Sequence, residues 1–241
     1  MKKIWNLLAL LVVVAGASVA QADMVTTDVI ASDDARMYIR IPYYQSNVYE
    51  ALNFGAGSDV NLTYITDTYQ SQYLMKFNLS SLPEDDISAA ALKFSFKAST
   101  DTTGITFDIY LADSDAWVEG TGLQAGTNPG SNTSWATWNT MGNHYTGSPL
   151  ATISNFSTAN HIETVSTAAL LAAIQNEAEG DGVISLLFKV TSGSGVFYAK
   201  ERPNVEGLTI DPTLSITTVP EPASLALILA GGVAALIRRR K

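Results

Sequence analysis

The chain of 241 residues has 46% hydrophobic side chains, a formal charge of −9, no cysteine and two histidines. No disulfide can form and no cysteine nucleophile exists, so stability rests on packing, with bound cations as the available supplement. The acidity argues against nucleic acid as a partner, because holding a phosphate backbone depends on Lys and Arg displacing counterions.

At the N-terminus Lys2 and Lys3 precede the apolar stretch Ile4 to Val14, and small residues follow through Ala20-Gln-Ala22. A charged segment, an apolar segment and an Ala-x-Ala site in that order predict a secretory signal peptide over 1–22, read by the Sec translocon and cleaved after Ala22, or after Ala20. The body then spans 23–218 and a C-terminal segment spans 219–241. The two terminal segments hold six of the fourteen basic residues and one of the 23 acids, which leaves the body with eight against 22, about −14.

Most of the body alternates apolar and polar residues, the pattern of a strand with one buried face. Met37, Ile39 and Ile41 alternate with Arg36, Tyr38 and Arg40. Tyr73, Met75, Phe77 and Leu79 alternate with Leu74, Lys76 and Asn78. Leu92, Phe94 and Phe96 follow, then Ile105, Phe107, Ile109 and Leu111, with Thr106, Asp108 and Tyr110 between them. Later come Ile184 to Val190, Val196 to Ala199, Leu208 to Ile210 and Leu214 to Ile216, and Val60 to Ile65 is a weaker candidate. Turn formers separate these runs, among them Phe54-Gly-Ala-Gly57, Leu82-Pro-Glu-Asp-Asp86, Thr102-Thr-Gly104 and Thr191-Ser-Gly-Ser-Gly195. The expectation is an all-β fold, an antiparallel jelly-roll β-sandwich of two sheets. One short helix is expected over Ser166 to Ala178, where Leu170, Leu171, Ile174 and Ala178 have helical spacing, Ser166 serves as N-cap and Gly180 ends it.

The stretch from Trp117 to Ser148 has no steady period and holds Trp117, Trp135 and Trp138. A long loop within a compact domain is usually functional, and three tryptophans argue for an ordered one. Trp135, Trp138, Tyr145 and Asn139 combine aromatic faces for a sugar's C–H surface with hydrogen-bonding groups, which makes them candidate glycan-binding residues. The alternative is that Trp117 and Trp138 pack the core beneath the loop, with Trp135 the more exposed. Arg36, Tyr38 and Arg40 could meet a uronic acid, but a solvated strand face suits an acidic body better. Acids at Asp33-Asp34, Glu84-Asp85-Asp86 and Asp113-Ser-Asp115 are hard oxygen ligands of the kind one structural Ca²⁺ would take, or are simply solvated. No other cofactor is expected.

At the C-terminus Val219-Pro-Glu-Pro222 leads into the apolar run Ala223 to Ile237, which ends at Arg238, Arg239, Arg240 and Lys241. Pro222 suits a first helical turn, and Glu221 sits where the helix dipole favours negative charge. A transmembrane helix over 223–237 would reach only about 22 Å of a roughly 30 Å hydrocarbon core, and the cations stop it on the cytoplasmic side. Val219, Pro220, Glu221 and Pro222, with the basic stop, resemble the PEP-CTERM sorting signal of exported bacterial proteins. That resemblance implies recognition by an exosortase-type membrane protease, transient residence in the inner membrane and delivery to the surface or an exopolysaccharide matrix.

A second resemblance covers the body from about residue 28 to 217. Tyr73-Leu-Met-Lys-Phe-Asn-Leu-Ser-Ser-Leu-Pro83 with Ile87-Ser-Ala-Ala-Ala-Leu92, Asp115-Ala-Trp-Val-Glu119 with Trp135-Ala-Thr-Trp-Asn139, and Phe197-Tyr-Ala-Lys-Glu201 are similar to segments of DNRLRE-type domains, which are related to a carbohydrate-binding module family. The resemblance implies a jelly-roll fold and extracellular polysaccharide as a partner. Catalysis has little support: there is no Gly-x-Ser-x-Gly elbow, and His144 and His161 form no metal-ligand spacing. The expectation is a non-enzymatic exported protein. Its rival is a secreted carbohydrate-active enzyme, such as a polysaccharide lyase with Tyr145 or His144 as base.

Overall fold

The computed structural model describes residues 23–40, 53, 55, 59–82, 86–99, 104–121, 134–156, 158–200 and 211–219. The expected signal peptide, the strand at Leu208 to Ile210, the transmembrane helix over 223–237, and Pro220, Glu221, Pro222, Arg238, Arg239 and Arg240 lie outside the described residues. Val219 is described, as the last residue of the final strand. Among the described residues no helix is long and apolar enough to cross a membrane.

The strands are β1 Val25–Ile30, β2 Asp33–Arg40, β3 Asp59–Thr66, β4 Tyr69–Asn78, β5 Asp86–Ser99, β6 Ile105–Ala112, β7 Tyr145–Phe156, β8 His161–Val165, β9 Val183–Tyr198 and β10 Thr213–Val219. Two short helices accompany them, α1 Trp138–Met141 and α2 Ala168–Glu179. Sheet order runs β1-β10-β5-β9-β3-β4-β2, with β6 also on β9, β7 on β6 and β8 on β5. Ladders of defined register are antiparallel, as expected. The chain divides into two compact units. The larger comprises 27–82 and 89–216. In the smaller, the Thr26 and Thr217 hydroxyls meet at 3.0 Å, and Ser88 Oγ donates to the Thr217 carbonyl at 3.2 Å.

Two separate sheets were expected, but the ladders join into one curled sheet through β9. Ile184 to Val190 and Val196 to Ala199 read as two strands with a Thr191-to-Gly195 turn between them; they belong instead to one strand of 16 residues, Val183–Tyr198, with Ala199 just beyond its end. Glycine explains the difference. Gly193 sits at φ +74°, and a Cβ at Gly195 would fall 2.6 Å from Phe96 Cε2. These residues let the strand bend and pass closely over a ring instead of reversing. Before the bend β9 pairs with β4 and β6; after it, with β3 and β5.

One face of this network holds an aromatic core. Phe107 stacks on Phe188 at 5.4 Å, Phe94 meets Phe188 edge-on at 5.1 Å, and Phe96 meets Phe197 edge-on at 5.1 Å. Each ring is fully buried. Burying a side chain of this size stabilises by about 1.5–3 kcal/mol, and edge or offset ring pairs add about 0.5–1.5. The period-two reading is right for this face and incomplete for the other, because Leu74 and Leu187, on the supposedly polar side of β4 and β9, are also fully buried.

The expected helix is present, shifted at its start: Thr167, not Ser166, is the N-cap and accepts from the Leu170 amide at 3.0 Å, while Ser166 Oγ donates to the Ala90 carbonyl. Gly180 ends it, and Leu170, Ala173 and Ile174 are its buried face. The single helical turn α1 was not expected, since four residues carry no period. A reciprocal cap specifies it: the Thr140 amide donates to Thr137 Oγ1, and the Thr137 amide donates to Thr140 Oγ1.

Candidate functional site

Register decides which side chains share the second face, since direct cross-strand partners point the same way. Three rows result. Thr152, Asp108, Lys189, Gln72 and Met37 are successive partners across β7, β6, β9, β4 and β2. Next come Tyr110, Leu187, Leu74 and Ala35, and then Ser185, Lys76 and Asp33.

The irregular stretch after β6 covers the last two rows and the Met37 end of the first. Trp117, Ala136, Trp138 and Met141 form one buried cluster with Leu187, Leu74, Ala35 and Met37. Trp117 is the main fastening. Its Nε1 donates to Ser185 Oγ at 2.9 Å, its carbonyl accepts from Lys76 Nζ, and the Lys76 ammonium lies 4.4 Å from its ring centroid. Asn53 Nδ2 donates to the carbonyls of Glu119 and Ala136 at 2.6 and 2.9 Å. Glu119 Oε2 and Lys200 Nζ form a largely buried ion pair at 2.6 Å. Lys76, Trp117, Glu119 and Lys200 come from the three segments that carried the second resemblance. They are the residues that hold the loop to the sheet.

The four expected glycan-binding residues have different surroundings. Trp138 is 9% exposed and belongs to the cluster, as the packing alternative has it for both Trp117 and Trp138. Trp135 is half-buried beside Asn53, where a Cβ at Gly120 would fall 2.7 Å from the indole. Asn139 is exposed on α1. Tyr145 packs against the cluster and opens β7. Thus Trp138 and Tyr145 share one cluster; Trp135 and Asn139 are not part of it.

Where the cover ends, at Asn143 and Tyr145, the first row remains. Gln72 and Asn143 close the boundary: Gln72 Nε2 donates to Asn143 Oδ1 at 2.8 Å, and the Asn143 amide donates to Gln72 Oε1 at 2.9 Å. Beside them Tyr110 and Tyr145 stack at 4.1 Å and 32°, both partly open to solvent. Lys189 Nζ contacts the Tyr145 hydroxyl at 2.6 Å and lies 5.0 Å from the ring centroid, so the ammonium stands off the hydroxyl end of the ring. Asp108 accepts from Thr152 Oγ1 at 2.6 Å and from the Tyr110 hydroxyl at 3.4 Å. Partial burial and the Asp108 carboxylate push the Tyr110 phenol up, so it stays a donor at neutral pH. Sequence reasoning missed Tyr110, Lys189, Asp108 and Thr152 because they come from three strands. The available signal was an aromatic ring on the polar side of β6.

Acids also gather, in a different set from the ones adjacent in sequence. Carboxylate oxygens of Asp115, Glu177 and Asp181 lie within 4.8 Å of one another, the one such group among the described residues. Burial pushes Asp115 up, with the Asp181 charge adding and a Ser185 hydrogen bond opposing; burial and the same acids push Glu177 up. The donors are of the type a hard cation takes. Asp113 faces His144 Nδ1 at 3.5 Å, and Asp34 accepts from the Tyr73 hydroxyl and the Lys200 amide, so neither joins this group. The strand face with Arg36 was expected to be solvated. Arg36 stands instead opposite the buried Tyr73, and burial pushes its guanidinium down to about 10, while Tyr38 on the same face is half-buried.

No curated relative matches the chain. A PEP-CTERM protein-sorting motif matches residues 218–241, beginning at the penultimate residue of β10. The profile of carbohydrate-binding module family 96 matches residues 26–218, the whole body from β1 to β10. The chain belongs to carbohydrate-binding module family 96.

Proposed function

We propose that the protein is an exported bacterial cell-surface or exopolysaccharide-matrix component that binds polysaccharide without cleaving it. In this reading residues 1–22 direct export through the Sec translocon. The tail 219–241 holds the chain briefly in the inner membrane through 223–237 until an exosortase-type protease acts near Val219, Pro220, Glu221 and Pro222. Arg238, Arg239 and Arg240 are the cytoplasmic stop. The body then meets glycan through the loop-bearing face, with Trp135, Asn139 and Tyr145 at its surface and Trp138 packed beneath them as support.

The observation that carries this reading is the junction of the two matches. A carbohydrate-binding module fills the body, and the sorting motif begins where its last strand ends. The test has two arms. Deleting residues 219–241 and fractionating the cells is expected to trap the protein before surface delivery; unchanged delivery refutes the sorting role. Incubating the exported protein with a polysaccharide panel is expected to give retention without new chain ends. New reducing or unsaturated ends would establish the polysaccharide lyase or hydrolase reading instead.

A further inference from the structure

The open row beside the loop has the features of a small recognition surface that neither family match assigns. Tyr110 and Tyr145 lie face to face at 4.1 Å and 32°, so each covers the other's inner face, and the partly exposed outer side of this stack is the kind of aromatic surface that packs against the C–H face of a sugar. Next to them Lys189 and Asp108 are direct cross-strand partners, with side chains roughly 5 Å apart at their origins. The Lys189 ammonium has three donors, of which Tyr145 occupies one, and the Asp108 carboxylate has lone pairs beyond those that Thr152 and Tyr110 use.

The charge of this patch selects the class of ligand. Lys189 and Asp108 cancel, so the patch offers donors and acceptors with no net attraction for either sign. A carboxylated sugar would gain from Lys189, meet Asp108 one strand away, and approach a body of about −14. A neutral sugar has no such conflict. Each hydroxyl both donates and accepts, so neighbouring hydroxyls can give a hydrogen to Asp108 and take one from Lys189. A covering ligand also shields the Lys189–Asp108 pair from water, which an uncharged one does without adding a buried unpaired charge.

We infer that Tyr110, Tyr145, Lys189, Asp108 and Thr152 form a binding surface for an uncharged polysaccharide, with the sugar's carbon face against the outer side of the tyrosine stack and its hydroxyls on the Lys189–Asp108 row. The inference rests on the carbohydrate-binding reading above and adds where the glycan sits and what charge it carries.

Affinity electrophoresis of the exported protein tests it, with laminarin, xyloglucan and galactomannan as neutral probes and polygalacturonate as the anionic one. Retardation by at least one neutral polymer is expected, nearly unchanged between about 50 and 500 mM NaCl because no net charge is neutralised. Tyr110→Ala is expected to weaken it by about tenfold or more, as loss of an aromatic anchor does. Lys189→Met and Asp108→Asn, which keep side-chain volume, are expected to weaken it several-fold with unchanged thermal midpoints. Full retardation in Tyr110→Ala and Lys189→Met overturns the site while leaving carbohydrate binding intact. Salt-sensitive binding to polygalacturonate alone overturns the neutral class. Failure of the unmodified protein to bind any of the four overturns both the inference and the reading beneath it.

Discussion

The two halves of one sheet face make an instructive pair. Rows two and three, from Leu187 to Ala35 and from Ser185 to Asp33, lie under Trp117, Ala136, Trp138 and Met141, with Tyr110 at the uncovered end of row two. The row with Thr152, Asp108 and Lys189 lies one residue-pair further along the same strands and leaves an ammonium and a carboxylate partly open beside Tyr110 and Tyr145. The strands are shared, so secondary structure does not distinguish the halves. The difference lies in what a cover would have to desolvate. Leu74 and Leu187 favour being covered, and two of the polar groups beneath the cover, Lys76 and Ser185, find partners on Trp117. Lys189 and Asp108 have hydrogen-bonding capacity left over, which a protein cover would have to satisfy and water or a glycan satisfies readily.

The largest expected effect breaks the sealed half. Trp117→Ala removes a buried indole, its bond to Ser185 and the partner of Lys76, and is expected to destabilise by about 3–5 kcal/mol in urea unfolding. Next is Lys200→Met, which leaves Glu119 largely buried without its cation; a loss on the order of 2 kcal/mol is expected, with little recovery at high salt. Thr137→Ala removes the reciprocal cap of α1 and is expected to cost about 1 kcal/mol, read as a lower thermal midpoint.

The carboxylate cluster sharpens the contrast through pH. Asp115 and Glu177 are pushed up in the folded state, so that state binds more protons than the unfolded chain. Stability should therefore fall as pH climbs from the ordinary carboxylate value of about 4 through the raised folded values, and then level off. Asp115→Asn is expected to flatten that decline in EDTA, with a modestly higher midpoint at neutral pH; an unchanged profile would mean that neither burial nor the neighbouring acids raise Asp115. The smallest stability effect is expected on the open half. Lys189→Met should shift stability by less than about 1 kcal/mol while reducing glycan retention, and a loss as large as that of Trp117→Ala would erase the distinction between the halves.

Much of the first face was legible because alternation is local: Phe94 and Phe96, Phe107 and Ile109, and Leu186 and Phe188 announce their own burial two residues at a time. The helix α2 was legible for the same reason, apart from a cap displaced by one residue. Alternation gave no warning that β9 would continue through five turn-forming residues, because whether a glycine turns or bends a strand depends on what it passes. At Gly195 that is Phe96, 99 residues earlier. Tyr145 was legible as an aromatic ring in a loop-like stretch, but its neighbours Tyr110 and Lys189 were not, since each stands in a different strand.

By itself the sequence determined the all-β antiparallel class, the acidic body and the sorting motif at the C-terminus, because period, charge and a terminal signature are properties of contiguous residues. It also identified the segments with Lys76, Trp117, Glu119 and Lys200. Only the tertiary structure decided that these residues fasten a loop to a sheet, that Asp115 meets Glu177 and Asp181 and not Asp113, and that one end of that sheet face stays open. Those outcomes depend on register between strands far apart in the chain, where a shift of one residue would exchange the two faces.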